Sequence, residues 1–368
     1  MKKISIWLIG TLLFITGCGQ DMSEDEVVQK DESNEEVSIV PSQQLSNDNY
    51  KTVLPYKPSQ ARGIIVDQVA NRLDIDEMEE GLRRHSQDQY DPSDYYFQEG
   101  QYITEDMVLE WIDELNPEVK KDSGEKEYRD NPRYLSHILE QNYLHKQKDG
   151  STKLAGISIG LAMKSVYRFQ TEVGGPYYYE KISKDEMMKK GQEIADNIVK
   201  EMREIEGLED IPIMVALYQE EEQSSPVPGN FVAKANASGG DTSVGKWENI
   251  KEEHILFPSK EGKEKYFDDH EVVKNFGNEI ATYFPNYVGV IGEGLYIDGD
   301  LQKLTLEIPI EFYGKGEVIG FSQYAYGLVQ EMFKNYYDLE INVTSSNEKE
   351  SLIYREANED APTIHIFH

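Results

Sequence analysis

Val290-Ile291-Gly292-Glu293-Gly294-Leu295-Tyr296-Ile297-Asp298-Gly299-Asp300-Leu301-Gln302-Lys303-Leu304-Thr305-Leu306-Glu307-Ile308 is a stretch of two extended runs around an Asp-Gly dipeptide. A turn dipeptide between alternating runs signals a hairpin, because Asp-Gly accepts the left-handed backbone that a two-residue connection needs. The hairpin is read as Tyr287–Ile297 with Leu301–Tyr313, turning at Asp298-Gly299. Outward from it, the pattern changes to helical spacing on both sides. A helix is predicted from about Asp269 to Phe284, where Pro285 stops it. Another is predicted from Ser322 to Tyr337, with Ala325, Leu328, Val329, Met332, Phe333 and Tyr336 facing inward. Strands Leu339–Thr344 and Ser351–Arg355 follow, and Thr363–Phe367 reads as an added edge.

The same order occurs upstream. Thr104 is a helix cap with Glu105 and Asp106 in the first turn, and Asn116-Pro117 closes that helix. Tyr134–Leu144 reads as extended. After Asp149-Gly150, Ala155, Ile157, Ile159, Leu161 and Met163 alternate with small or polar residues. Ser183 and Glu186 form a capping box, stapled by Ile182 and Met187, for a helix that Gly207 closes. Ile211–Gln219 and Gly229–Ala235 are further strands. An additional helix is signalled by Asp74, Glu77 and the Leu73/Met78 staple. The prediction is therefore an α+β fold: two similar helix–hairpin–helix–two-strand units with antiparallel sheets, occupying residues 59–260 and 261–368.

The head of the chain has a different composition. Lys2 and Lys3 precede the apolar run Ile4–Ile15, which at about 12 residues is too short for a membrane-spanning helix. Ile15-Thr16-Gly17-Cys18 follows, and Cys18 is the chain's one cysteine. Cations, a short apolar core, small residues and cysteine in this order read as a lipoprotein signal peptide over residues 1–17. Cys18 is the expected lipidation site, and the alternative is a buried helix with a chance cysteine. One acyl chain anchors only marginally, so a multiply acylated cysteine is implied. Maturation would require a diacylglyceryl transferase and a lipoprotein signal peptidase. The destination is the outer face of the cell membrane, with the lipid bilayer as partner. Residues 18–58 read as an acidic flexible tether, with folded structure starting near Ala61. About 32 such residues span roughly 30 Å, which keeps the domain near the membrane.

The full chain has 37 Lys and Arg against 69 Asp and Glu, a net charge of -32. Loss of Lys2 and Lys3 with the signal peptide takes it to -34, because 35 cations then face the same 69 acids. Such a chain repels phosphate backbones, which excludes nucleic acid as a partner. With Cys18 consumed, neither disulfides nor a thiolate metal site remain available.

Candidate chemistry is sparse. Gly240-Asp241-Thr242-Ser243-Val244-Gly245-Lys246 begins as a phosphate loop does. Trp247 then stands where a magnesium-binding Ser or Thr belongs, so a plain Gly/Ser loop is expected. The seven His residues show no zinc spacing. Asp298-Gly299-Asp300 lacks a calcium-loop pattern. Neither a catalytic residue, a metal ligand nor a cofactor is assigned. Tyr95-Tyr96-Phe97-Gln98-Glu99-Gly100-Gln101-Tyr102 is the densest aromatic and polar stretch. Tyr95, Tyr96, Gln98 and Glu99 are the candidate ligand groove, with Glu99 a candidate acid or base and a packed strand the plainer reading.

The stretches Asp94–Tyr102, Leu154–Met163 and Gly229-Asn230-Phe231-Val232-Ala233 resemble the CamS family of sex-pheromone-precursor lipoproteins of Gram-positive bacteria. The resemblance covers most of the chain from Ala61 onward. It implies that, after cleavage before the cysteine, the seven preceding residues are exported as a peptide that induces conjugative plasmid transfer. The matching residues here are Thr11, Leu12, Leu13, Phe14, Ile15, Thr16 and Gly17. Two readings of the mature domain follow. One is a non-enzymatic module binding a peptide or wall-polymer ligand. The other is a cell-wall hydrolase working through two carboxylates across a cleft.

Overall fold

The structure, a computed structural model, describes residues 26–30, 37–41, 43–46, 49–64, 70–120, 123–147, 151–346 and 348–368. Cys18 and the Thr11–Gly17 segment lie outside the described residues. The first group of elements is β1 (Glu26–Lys30), β2 (Val37–Val40), β3 (Lys51–Thr52), β4 (Asn71–Arg72), α1 (Ile75–Ser86), β5 (Tyr96–Glu99), α2 (Glu105–Glu114), α3 (Glu125–Asp130), β6 (Leu135–Lys146), β7 (Thr152–Met163), β8 (Val166–Phe169), β9 (Tyr178–Lys181), α4 (Lys184–Arg203), β10 (Ile213–Gln219), β11 (Glu221–Glu222), β12 (Asn230–Ala237) and β13 (Glu248–Asn249). The second group is β14 (Glu252–Phe257), α5 (Lys260–Lys265), α6 (Phe267–Tyr283), β15 (Ile291–Ile297), β16 (Asp300–Pro309), α7 (Lys315–Met332), β17 (Asp338–Ser345), β18 (Glu348–Arg355) and β19 (Thr363–Ile366).

The fold is α+β, built on two large sheets. One runs in the order β13-β12-β10-β7-β6-β5-β3 and the other β14-β15-β16-β17-β18-β19. Within them, β6-β7-β10-β12 and β15-β16-β17-β18 share one pairing scheme: antiparallel, parallel, antiparallel. The expectation of antiparallel sheets needs correction here. β7 with β10 and β16 with β17 are parallel. A helix between two strands of one sheet acts as a crossover, and the returning strand then lies parallel to the first. α4 and α7 are those crossovers.

Local chemistry explains where the elements start. Thr104 Oγ1 accepts from the Met107 N–H at 3.3 Å, and Ser183 Oγ accepts from the Glu186 N–H at 3.3 Å. At the Asp298-Gly299 turn both residues have positive φ, 53° and 89°, as a type I′ connection requires. α7 begins at Lys315 rather than Ser322, which places Val318 and Phe321 in the core. Gly314, Gly316 and Gly320 obscure those first two turns in the sequence. Tyr336 was expected inward and is exposed.

Alternation along β7 sets the packing. Ile157, Ile159, Leu161 and Met163 join the core under α2 and α4. Gly156, Ser158, Gly160 and Ala162 alternate with them and present a shallow surface to α1. A Cβ on Gly160 would lie 2.8 Å from Met78 Cε, so the methionine tip packs directly over the glycine. Met78 and Leu82 of α1 pack there with Ala162, Met214, Ala216 and Phe231. The second sheet buries Leu304, Leu306 and Ile308 beneath α6 and α7.

Two boundaries differ from the sequence reading. Packed structure reaches back into the segment read as a tether through residue 58. β1 pairs with β2, Ile39 and Leu54 exchange two backbone hydrogen bonds at 2.8 Å, and Val40 is buried with Val53 and Leu144. The apolar pair Ile39-Val40 finds a partner strand, which composition alone did not reveal. The first sheet ends at Asn249 and β14 opens the second at Glu252, so the halves meet near residue 250 rather than 260.

Candidate functional site

Helical spacing puts Glu77, Glu80 and Arg84 on one face of α1, and His85 lies beside Arg84. Across from them, β14 carries Glu252 and His254, and β15 carries Glu293. Together these residues connect the two halves and form a concentrated group of interacting charges. The Arg84 guanidinium donates to Glu77 Oε1 at 2.9 Å and to Glu252 Oε2 at 3.0 Å. His85 Nε2 lies 2.7 Å from the same Glu252 oxygen, and the Phe231 N–H donates to the other at 2.9 Å. His254 Nδ1 lies 3.0 Å from Glu293 Oε1, and its Nε2 is 3.4 Å from Glu77 Oε1. A small cavity of about 80 Å³ adjoins the cluster, lined also by Lys303 and Thr305.

Electrostatics at this junction are internally compensated. Burial of Glu252 raises its proton affinity, but the His85 contact, the Arg84 charge and the Phe231 amide outweigh that and hold the carboxyl at about 2. Burial of His254 works against its charge, yet the bonds to Glu293 and Glu77 lift it to about 9. Glu77 is half-buried, which raises its proton affinity, but His254 and Arg84 bring its carboxyl below the usual range. Glu77, Glu252 and His254 have ligand atoms within 4.8 Å of one another, a spacing that suits a metal ion. Arg84 already bridges both carboxylates, however, and a protonated imidazole cannot ligate. The positive charges at this site are supplied by the protein itself. Sequence reasoning missed the cluster, because its members lie on three elements up to 216 positions apart, Glu77 to Glu293. The signal available was the i, i+3, i+7 acid–acid–base series on α1.

The predicted groove residues are divided between two faces. β5 alternates, so Tyr96 and Gln98 point one way while Phe97 and Glu99 point the other. Tyr96 leans on Val40, Val53 and Leu144. Tyr95 packs edge-on against Tyr90 and His145, with ring centroids 5.4 and 4.0 Å apart. Glu99 is 3% exposed. Its carboxyl is raised, first by burial and then by the nearby Glu79 charge, against hydrogen bonding from Tyr56. Because the stretch forms an inner strand, it does not line a single groove.

Other buried polar groups and loops have structural partners. Glu140, within β6, accepts from the Gln101, Tyr102 and Ile103 N–H groups and fixes the turn after β5. The Gly240–Lys246 loop starts no helix, and Arg203 holds its approach through the Ser238 and Asp241 carbonyls at 3.0 and 2.8 Å. His137 is buried, with Nδ1 2.6 Å from the Ile64 carbonyl.

Comparison with known proteins agrees with this architecture. The family model described as the CamS sex pheromone cAM373 precursor matches residues 56–361. A sex pheromone precursor from Lactobacillus salivarius has a crystal structure similar to this one, with a TM-score of 0.82 and 28% identity over 90% of this chain and 99% of that one. The C-terminal domain of the sex pheromone staph-cAM373 precursor from Staphylococcus aureus gives a TM-score of 0.70 at 27% identity, over 80% of this chain and 96% of that one. Curated proteins supply no match. Among the described residues no helix is long and apolar enough to cross a membrane. The family match covers well over half of the chain, and the protein belongs to the CamS family of sex pheromone precursors.

Proposed function

We propose that the chain is made as a prolipoprotein, anchored through acylated Cys18 on the outer face of the membrane, and that its signal peptide yields the heptapeptide Thr11–Gly17. The observation that carries this reading is the order at the head of the chain: Lys2-Lys3, a short apolar run, and Ile15-Thr16-Gly17-Cys18, in front of a pheromone-precursor domain. The heptapeptide is apolar and uncharged in its side chains, which suits passage through membranes. The mature domain is proposed as a non-enzymatic binding module. The perturbed ionisable groups at the junction neutralise one another, and Glu99 is closed off from substrate. Neither arrangement offers the facing, accessible carboxylates that glycan hydrolysis needs.

Targeted mass spectrometry of spent medium, beside a Cys18→Ala strain, tests the first part. Heptapeptide found with Cys18 intact and lost in the variant supports it. Equal amounts in both strains would overturn it. Incubating the purified chain with isolated cell walls tests the second part. Sedimentation with the walls and no release of soluble fragments is the expected result, and fragment release abolished by Glu99→Gln would establish a hydrolase instead.

A further inference from the structure

We propose that the outer face of the β8–β9 hairpin is a binding site for an acidic saccharide, in which Tyr177 and Tyr179 seat sugar rings and Arg168 takes a carboxylate. The inference rests on the binding-module reading and names the site and ligand class for it.

The hairpin register separates its two faces. Tyr167 pairs with Glu180 and Phe169 with Tyr178. On that face Tyr167 and Phe169 are buried, and Tyr128 stacks on Phe169 at 5.1 Å with the rings 3° from parallel. The other face carries Val166 opposite Lys181 and Arg168 opposite Tyr179, with Tyr177 immediately before β9. Here the tyrosines stand out: Tyr177 is 51% and Tyr179 55% exposed. The Arg168 guanidinium lies over the Tyr177 ring, which brings that tyrosine to the same face. The inner aromatic tier holds the hairpin down, so the outer tyrosines form a prepared surface. Tyrosine supplies flat apolar area at small entropic cost and a hydroxyl at its rim.

Arg168 supplies the charge. Its guanidinium lies 4.0 Å from the Tyr177 ring centroid, a cation–π contact that orients it. Among the described residues it has no carboxylate partner, although the chain carries 69 acids against 37 bases. Neighbouring cations are engaged: Lys181 pairs with Glu222 at 2.7 Å and Arg129 with Glu180 at 2.6 Å. One uncompensated guanidinium calls for a singly charged, planar acid, and a carboxylate matches its fork of donors.

The site continues into a cavity of about 520 Å³, within the range of small-ligand sites. Val166, Tyr179 and Lys181 line it from the hairpin, with Glu222, Gln223 and Ser224 opposite. The amide and hydroxyl of the last two suit sugar hydroxyls. Its place in the fold supports the assignment independently. β8 follows directly on β7 and β11 on β10, so the cavity lies beyond the carboxyl ends of the parallel pair, where strand ends leave crevices for ligands.

The test is calorimetric titration of the full-length chain with a defined oligouronide, and with the same oligosaccharide after esterification of its carboxyls. Arg168→Gln, Tyr177→Ala and Tyr179→Ala are titrated alongside, with melting temperatures recorded to confirm folding. The expected result is saturable binding of the free acid, weakened at least tenfold by esterification and by each substitution, at unchanged melting temperature. Absence of binding by the parent chain overturns the proposal, as does equal binding by the ester or by Arg168→Gln. Sedimentation with isolated cell walls separates the two levels of inference. If the parent chain and the triple variant sediment alike, the binding module stands and this site falls. If the parent chain does not sediment, the binding-module reading itself fails.

Discussion

Two glutamates show how environment, rather than residue type, sets what a buried carboxyl contributes. Glu252 has a fully buried side chain, yet Arg84, His85 and the Phe231 amide each donate to it or lie within bonding distance. Neutralising Glu252 removes one of the two carboxylates that Arg84 bridges and the one that His85 faces, and breaking a buried pair costs on the order of 3 kcal/mol. Glu252→Gln is therefore expected to lower stability by about 3 kcal/mol, measured as a drop in the urea midpoint at unchanged slope. A loss below about 1 kcal/mol would mean that water replaces the carboxylate freely. Glu99 is the opposite case. Burial and the Glu79 charge raise its carboxyl, so ionisation works against folding. For a carboxyl with a raised folded value, stability declines as pH rises past its unfolded value. Glu99→Gln at neutral pH is expected to be neutral or mildly stabilising. A clear destabilisation would show that the Tyr56 hydrogen bond to the ionised form outweighs the cost of burying it.

At the level of elements, legibility followed local chemistry. Thr104 and Ser183 were readable as caps because their partners lie three residues away, and both bonds form. Asp74 was read the same way, but its carboxylate pairs with Arg72 at 3.0 Å and makes no cap bond. Propensity proposes the cap, and a neighbouring charge competes for it. The alternation in β7 was legible, while the purpose of its small residues was not, because Tyr90 and Met78 lie far off in sequence. A Cβ on Gly156 would meet the Tyr90 ring at 2.1 Å, and that ring is fixed by stacking on Tyr143 at 4.4 Å. Gly156→Ala is expected to cost roughly 1–3 kcal/mol through overpacking. Pairing it with Tyr90→Ala should give less than the sum of the two single losses, a coupling readable in a double-mutant cycle. Strict additivity would place the strain elsewhere. The stretch read as a groove met a related ambiguity: an aromatic-polar run has the same appearance on a surface loop and on an inner strand such as β5.

For the whole molecule, the question is what keeps two sheets with separate cores docked. The longer helices and the β6–β7 and β15–β16 hairpins were readable from periodicity, while α3, α5, β14 and the β8–β9 hairpin were not. The junction was not, since α1 belongs to the first half in sequence and presents Glu77 and Arg84 to His254 and Glu252 on β14 of the second. His254 has Glu77 on one side and Glu293 on the other, with Arg84 bridging Glu77 and Glu252 and Lys303 lining the adjoining cavity. Its folded value of about 9 lies above its ordinary value of 6.5. A raised histidine contributes its full stabilisation below its unfolded value and loses it as pH climbs through the folded one. Glu252, depressed from 4.5 to about 2, contributes above its unfolded value and loses this as pH falls through the folded one. Docking is therefore strongest between about pH 4.5 and 6.5, and the alkaline loss belongs to His254. Calorimetry of the full chain from about pH 6 to about pH 9.5 should show a falling unfolding temperature in the parent and a flatter course in His254→Gln. That variant starts lower at about pH 6, because Glu77 and Glu293 then face each other without the imidazolium between them. Parallel pH profiles for parent and variant would show that the halves are held by packing alone, with the charges at the junction incidental to it.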